Sequence, residues 1–359
     1  MRAFACPVCL GFAPFESRRC PNCSAELGLH VPGRAMIATS SGMAVIDGQV
    51  WVECTRAASL GCNWLVPELQ EFGGQQGQCI AHSLIRREPD ADDTIAMEKL
   101  ASTAFALRRL IYQLIDIGLP VDPYWRQDGG LAFDLLSSYS GGERVVIGHA
   151  DGVITIDLVE SLDAYRESLR VHLGEPYRTM LGHFRHEVGH YYQSILVERD
   201  PGAGRYLDEC RQIFGDERAD YQAEIARHYK FGAPANWSES YISEYATMHP
   251  WEDFAECFAH YLHITDIVDT SREAGLVLHA DRVRFSFPRD IVPLASYAEA
   301  RIEQLLDDWK WLSLFFNRVN TAMGKNPLYP FQIPPPVVRK LAFVHTLIRE
   351  TALGRAADL

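Results

Sequence analysis

The spacing of hydrophobic residues changes character twice along the chain. Residues 37–52 carry two short alternating or apolar runs around Asp47-Gly48, which predicts a β-hairpin. From 93 to 118 the period becomes helical: Ile95, Leu100, Ala104, Leu107, Leu110, Ile111, Leu114 and Ile117 line one side, and Gly118 before Pro120 ends the run. Leu131–Leu136 is strand-like, and residues 145–157 predict two strands around Asp151-Gly152, so about three antiparallel strands are expected here. Helical spacing then dominates. Tyr177, Leu181, Phe184, Val188, Tyr191 and Ile195 form one stripe in a helix opened by Pro176 and closed by Asp200-Pro201-Gly202. A helix beginning near Asp216 runs to Lys230, with Asp216 and Asp220 as acids favourable to its N-terminus. Pro250 opens another, capped by Thr247 or His249. Residues 297–353 predict core-building helices, with Pro334-Pro335-Pro336 as a stiff connector. Helix, small sheet, then helices argue for an α+β fold. The acidic, Pro-containing stretch 88–93 marks a boundary between a small β-rich domain, 1–88, and a mainly helical domain, 91–359.

Cysteine usage sharpens that boundary. Seven of nine cysteines fall in the first 79 residues. Cys6, Cys9, Cys20 and Cys23 form two C-x2-C knuckles, the spacing of a closed four-cysteine zinc site. Such a segment buries too little apolar surface to fold alone, and metal binding supplies the missing free energy. Cys54, Cys62, Cys79 and His82 are a second set, with His in place of a fourth Cys and the Gly-rich bridge 73–77 to close the gap. Two structural zincs are expected in this segment. Cys210 and Cys257 are expected to be core thiols.

The charge is −13 over 359 residues, of which residues 1–90, with 7 Arg and 8 acids, account for −1. That disfavours nucleic-acid binding. No apolar run is long enough to span a membrane and no signal peptide is recognisable, so a cytoplasmic protein with reduced thiols is expected.

The chemistry centres on His186-Glu187-Val188-Gly189-His190. Histidines four apart on a helix lie one turn above each other and can share one zinc, while Glu187 can take a proton from water on the metal. His183 is assigned to the surface or to a supporting role. Gln193 and Leu196 stand where a metzincin needs Gly and His, which excludes that class. A third ligand is sought downstream in Glu252 and Glu256, one turn apart. One of them would bind zinc and the other would orient a ligand histidine.

Glu252-Asp-Phe-Ala-Glu256-Cys-Phe resembles the glutamate helix of gluzincin peptidases, in particular the lethal-factor type. That resemblance implies that Glu252 binds zinc, that Glu256 supports a ligand histidine, and that Tyr245, seven residues before Glu252, stabilises the oxyanion. The pieces GCNWLVP (61–67), GHADGVITID (148–157), EPYRTMLGHFRHEVGHYY (175–192), HPWEDFAECFAHYLH (249–263) and NPLYPF (326–331) resemble bacterial zinc-binding metallopeptidases with an N-terminal zinc ribbon. His82 departs from the fourth Cys expected in similar proteins. The resemblance implies a cytoplasmic zinc-dependent hydrolase and no particular substrate; from the site residues one catalytic zinc and hydrolysis of a peptide or protein are expected, with the strand at 152–157 or a neighbouring edge holding that substrate by strand addition. A partner-binding zinc ribbon with a non-catalytic HExxH is the main alternative. An SprT-like protease acting on DNA-bound proteins is another, disfavoured by the acidic charge and the N-terminal position of the ribbon.

Overall fold

The computed structural model describes residues 2–69, 71–72, 75–138, 145–158, 179–199 and 204–357. The chain forms two compact units, Met1–Asp116 with Pro120–Asp163, and Ile117–Leu119 with Ala164–Leu359.

In the first unit, β1 (Phe4–Ala5) pairs with β2 (Phe12–Ala13), and β3 (Leu27–His30) with β4 (Ala35–Ala38). The predicted hairpin is β5 (Met43–Ile46) and β6 (Gln49–Glu53), with Asp47 and Gly48 both at positive φ in its turn. Strand β7 (Leu65–Pro67) extends that sheet. Short α1 (Ala57–Leu60) precedes β7, and the pair β8 (Glu71–Phe72) and β9 (Gln75–Gln76) follows it. Gly73 and Gly74 of the Gly-rich bridge lie outside the described residues. Next come α2 (Ile80–Ser83), β10 (Ile85–Arg87) and α3 (Thr94–Asp116), the last started by Asp93, whose carboxylate accepts the Ala96 N–H.

The compact units do not divide at the acidic stretch 88–93, because α3 packs where its apolar stripe directs it. Leu100, Ala104, Leu107 and Ile111 are buried with the N-terminal unit, and Tyr112 stacks edge-on against Phe15. Arg109 reaches Glu16 at 2.7 Å. Strand β10 is also hydrogen-bonded to the sheet that follows. That sheet has the order β10-β11-β13-β12, with β11 at Ala132–Leu136, β12 at Gly148–Ala150 and β13 at Val153–Asp157.

The expectation of three antiparallel strands is corrected here. Only β12 and β13, joined by the two-residue Asp151-Gly152 turn, are antiparallel; β11 runs parallel to both neighbours. A long connection between β11 and β13 permits the parallel pairing that a tight hairpin forbids. Strand β13 is therefore interior and bonded on both sides, and the idea that it holds a substrate by strand addition is withdrawn.

The second unit is helical among its described residues: α4 (Met180–Gln193), α5 (Gly204–Phe214), α6 (Tyr221–Phe231), α7 (Pro250–Glu273), α8 (Ile302–Ala322) and α9 (Pro335–Ala357). Pro176, Tyr177 and Asp200-Pro201-Gly202 lie outside the described residues, and α4 passes at Ser194–Glu198 into a π-helical turn. Pro335 and Pro336 open α9 rather than forming a separate connector, since the first helical turn needs no amide hydrogens. The fold is α+β, with the strands early and the helices late.

Helix α9 is tied to α7 by a buried ion pair. Lys340 Nζ lies 2.6 Å from Asp253 and donates to the Ser240 carbonyl at 2.8 Å, with its ammonium over the Tyr241 ring. Burial pushes the Asp253 carboxyl up to about 7 against the pull of Lys340. Removing one partner of such a pair strands the other's charge, at a cost of about 3–5 kcal/mol. Lys340→Met is expected to destabilise the protein by about that amount, read as a lowered midpoint in urea unfolding.

Candidate metal centres

The N-cap of α4 is Thr179, whose hydroxyl accepts from the Gly182 N–H at 3.0 Å. Phe184, Val188 and Tyr191 are fully buried, which turns the flank carrying His186 and His190 toward α7. The two helices touch at Gly189: a Cβ there would lie 2.8 Å from Ala255 Cα. On α7, His249 is the N-cap. Its Nδ1 accepts from Trp251 N and its Nε2 donates to the Ala219 carbonyl, each at 3.1 Å. That neutral tautomer satisfies both ring nitrogens. Glu252 and Asp253 occupy the first turn, where the helix dipole favours negative charge.

His186 Nε2 lies 3.0 Å and His190 Nε2 3.5 Å from Glu252 Oε2, and the ligand-type atoms of these three residues all fall within 4.8 Å of one another. His186 Nδ1 lies 2.9 Å from Glu256 Oε1, and Glu256 Oε2 accepts from Ser243 Oγ at 2.6 Å. The imidazole is thus clamped between two carboxylates. Burial favours its neutral form, yet Glu252 and Glu256 outweigh burial and hold its pKa well above the usual histidine value. Burial likewise opposes ionisation of both glutamates, but His190 and His186 keep Glu252 well below the ordinary carboxylate range, and His186 lowers Glu256. A donor set of two imidazoles and a buried carboxylate, with ligand-type atoms this close together, could hold a metal ion and suits zinc.

Glu187 is buried on α4 beside this cluster, and Tyr245 packs its ring edge-on against His186 at 5.5 Å between centroids. His183 does not join the group. Two residues escaped the sequence reading. Tyr221 donates its hydroxyl to Glu252 Oε1 at 2.6 Å, and Ser243 holds Glu256. Both lie outside any motif, and Tyr221 begins a helix with no buried residue, so periodicity gave no sign of either.

The first cysteine cluster consists of two matching knuckles. Leu10 and Ser24 each follow a second cysteine at positive φ and donate their N–H groups to Cys6 and Cys20 carbonyls, both at 2.9 Å. Amides of Val8 and Asn22 point at the Cys6 and Cys20 sulfurs, each at 3.4 Å. Sulfur separations are 3.7 Å for Cys6–Cys23 and 3.6 Å for Cys9–Cys20. A tetrahedral zinc with bonds of about 2.3 Å needs sulfurs about 3.8 Å apart, whereas a disulfide needs about 2.05 Å.

The second cluster is wholly buried. Cys62 and Cys79 sulfurs are 3.8 Å apart, and His82 Nδ1 lies 3.4 Å from Cys54 Sγ and 3.5 Å from Cys79 Sγ. Burial pushes the Cys62 thiol up to about 12 and raises Cys79 well above the usual thiol value, while contacts from Cys62 and Cys79 lower Cys54. Buried Arg108 of α3 donates to the Leu60 and Gly61 carbonyls and lies 3.2 Å from His82 Nε2, the ring nitrogen opposite the one beside the sulfurs. Both donor sets fit structural zinc.

Two closed cysteine-rich clusters and a separate histidine–glutamate centre describe a metalloprotein with distinct kinds of site. Comparison with known proteins makes that specific. The chain belongs to the family described as "Putative zinc-binding metallo-peptidase", whose profile matches residues 96–347, and a zinc-ribbon domain profile matches residues 3–93. Uncharacterized proteins of Mycobacterium tuberculosis and Mycobacterium bovis are each 40% identical over 357 residues, covering 98% of this chain and 96% of theirs. No solved structure matches. Among the described residues, no helix is long and apolar enough to cross a membrane.

Two outcomes follow from this geometry. Gly189→Ala, favourable in an exposed helix, is expected to cost about 1–3 kcal/mol here by forcing α4 from α7, with loss of zinc at the histidine–glutamate centre measured by elemental analysis. Cys6→Ala and Cys79→Ala are each expected to lower the zinc content by one equivalent, with the other cysteine cluster still loaded.

Proposed function

We propose that the protein is a zinc-dependent peptidase whose catalytic metal is held by His186, His190 and Glu252. The observation that carries this is the convergence of both Nε2 atoms on Glu252 Oε2 while Glu256 takes the opposite nitrogen of His186. A carboxylate on the far nitrogen fixes the ring and leaves Nε2 as the ligating atom. Bound zinc would supply a Lewis acid that polarises the scissile carbonyl and renders water acidic near neutral pH.

The remaining work belongs to the chain. Glu187 accepts the proton of the attacking water on a carboxylate oxygen and returns it to the leaving amine. Its burial keeps that oxygen out of bulk solvent. Tyr245 donates its hydroxyl to the carbonyl oxygen as charge develops there. The substrate is a peptide or protein, and the cysteine clusters hold two structural zincs, with the ribbon as a surface for a protein partner. We place the protein in the cytoplasm, where thiols stay available to bind metal.

Replacement of the proton acceptor tests this. Glu187→Gln is expected to lower cleavage of a peptide library by about 10²–10⁴-fold while zinc content stays at the wild-type value. Equal cleavage by the two proteins, or none by a fully zinc-loaded wild type, would overturn the proposal.

A further inference from the structure

Glu252 has two oxygens, and the structure gives them different partners. Oε2 faces both histidines, at 3.0 and 3.5 Å. Oε1 accepts the Tyr221 hydroxyl at 2.6 Å. The carboxylate is 2% exposed.

The placement of Tyr221 is itself well determined. It is the first residue of α6, directly after Asp220, whose carboxylate caps the helix by accepting from Ala223 N at 3.0 Å. The residue before that cap, Ala219, is held through its carbonyl by His249 Nε2. His249 is also the N-cap of α7, three residues before Glu252. The Tyr221 ring meets His249 edge-on at 5.1 Å. One imidazole therefore fixes the start of α6 relative to the start of α7, and this sets the phenol on the carboxylate. Helix α6 buries none of its own residues, so general packing does not account for the contact.

We infer that Tyr221 is a positioning residue that reserves Glu252 Oε1, so that Glu252 meets the metal through Oε2 alone. A carboxylate free to rotate can offer both oxygens to one ion and fill a coordination position that water or substrate needs. A phenol donating to Oε1 stops that rotation and fixes the ligand's orientation, the role outer-shell donors play at metal sites. The assignment rests on the zinc site proposed above. It does not require that the site hydrolyse peptides.

The test uses the full-length protein and zinc alone. Tyr221→Phe removes one hydroxyl, and its zinc affinity at the histidine–glutamate centre is expected to fall about 10–100-fold in chelator competition, with the cysteine-bound zinc unmoved. In a Glu252→Ala background the same change should have no further effect. A crystal structure of the zinc-loaded wild type should show Glu252 bound through one oxygen with Tyr221 on the other. Unchanged affinity in Tyr221→Phe, an undiminished effect without Glu252, or a two-oxygen Glu252 in the loaded crystal would overturn the assignment. If Glu187→Gln alters no cleavage while Tyr221→Phe still weakens zinc, the peptidase proposal falls and this one stands.

Discussion

The near-contact of Gly189 with Ala255 is the constraint on which the histidine–glutamate centre depends. Imidazoles and carboxylates are short side chains. They meet across two helices only if the backbones come closer than ordinary side chains allow, and a Cβ at position 189 would lie 2.8 Å from Ala255 Cα, so only glycine fits there. Once the helices touch, two carboxylates and two imidazoles leave water together. That is costly for any one of them alone and tolerable only as a set in which opposite charges alternate. Ser243 and Tyr221 complete the set by giving the outer oxygens of Glu256 and Glu252 a donor each.

The cysteine clusters solve a different problem. The first gathers four thiols and the second three thiols and an imidazole, and the amides of Val8, Asn22 and Trp64 support the sulfurs. The segment buries a small apolar core, including Phe4, Phe15, Leu29 and Trp64, to which metal bound at the knuckles would add folding free energy. Helix α3 connects this small core to a conventional one. Its apolar stripe is buried, Arg108 faces the second cluster, and Tyr112 stacks on Phe15 near the first.

Much of this was legible in the sequence because the signals are local. HExxH on an amphipathic stripe, C-x2-C pairs, the Asp47-Gly48 and Asp151-Gly152 turns and the His249-Pro250 helix start each lie within a few residues. What the sequence concealed is non-local. The parallel pairing of β11 depends on a connection far longer than a turn. The membership of α3 in the first compact unit depends on partners up to about a hundred residues away, such as Arg109 with Glu16 and Asp116 with Arg2. Tyr221 and Ser243 reach the centre from segments without periodicity, so nothing in the sequence distinguished them from neighbouring hydroxyls. A composition break at 88–93 marks where cysteines give way to helices, but compactness follows packing.

The buried pairing of Lys340 with Asp253 bears on the order in which the molecule is assembled during synthesis. Domains fold as the chain emerges, N-terminal parts first. Both cysteine clusters have all their ligands once residue 82 has emerged, and their metals can be captured while most of the chain is still unmade. The histidine–glutamate centre has its ligands by residue 252, yet the residue next to Glu252 carries a carboxylate whose counter-charge arrives nearly ninety positions later. Chain order thus makes the donors of the two cysteine clusters available first, those of the histidine–glutamate centre next, and the counter-charge of the residue beside Glu252 last.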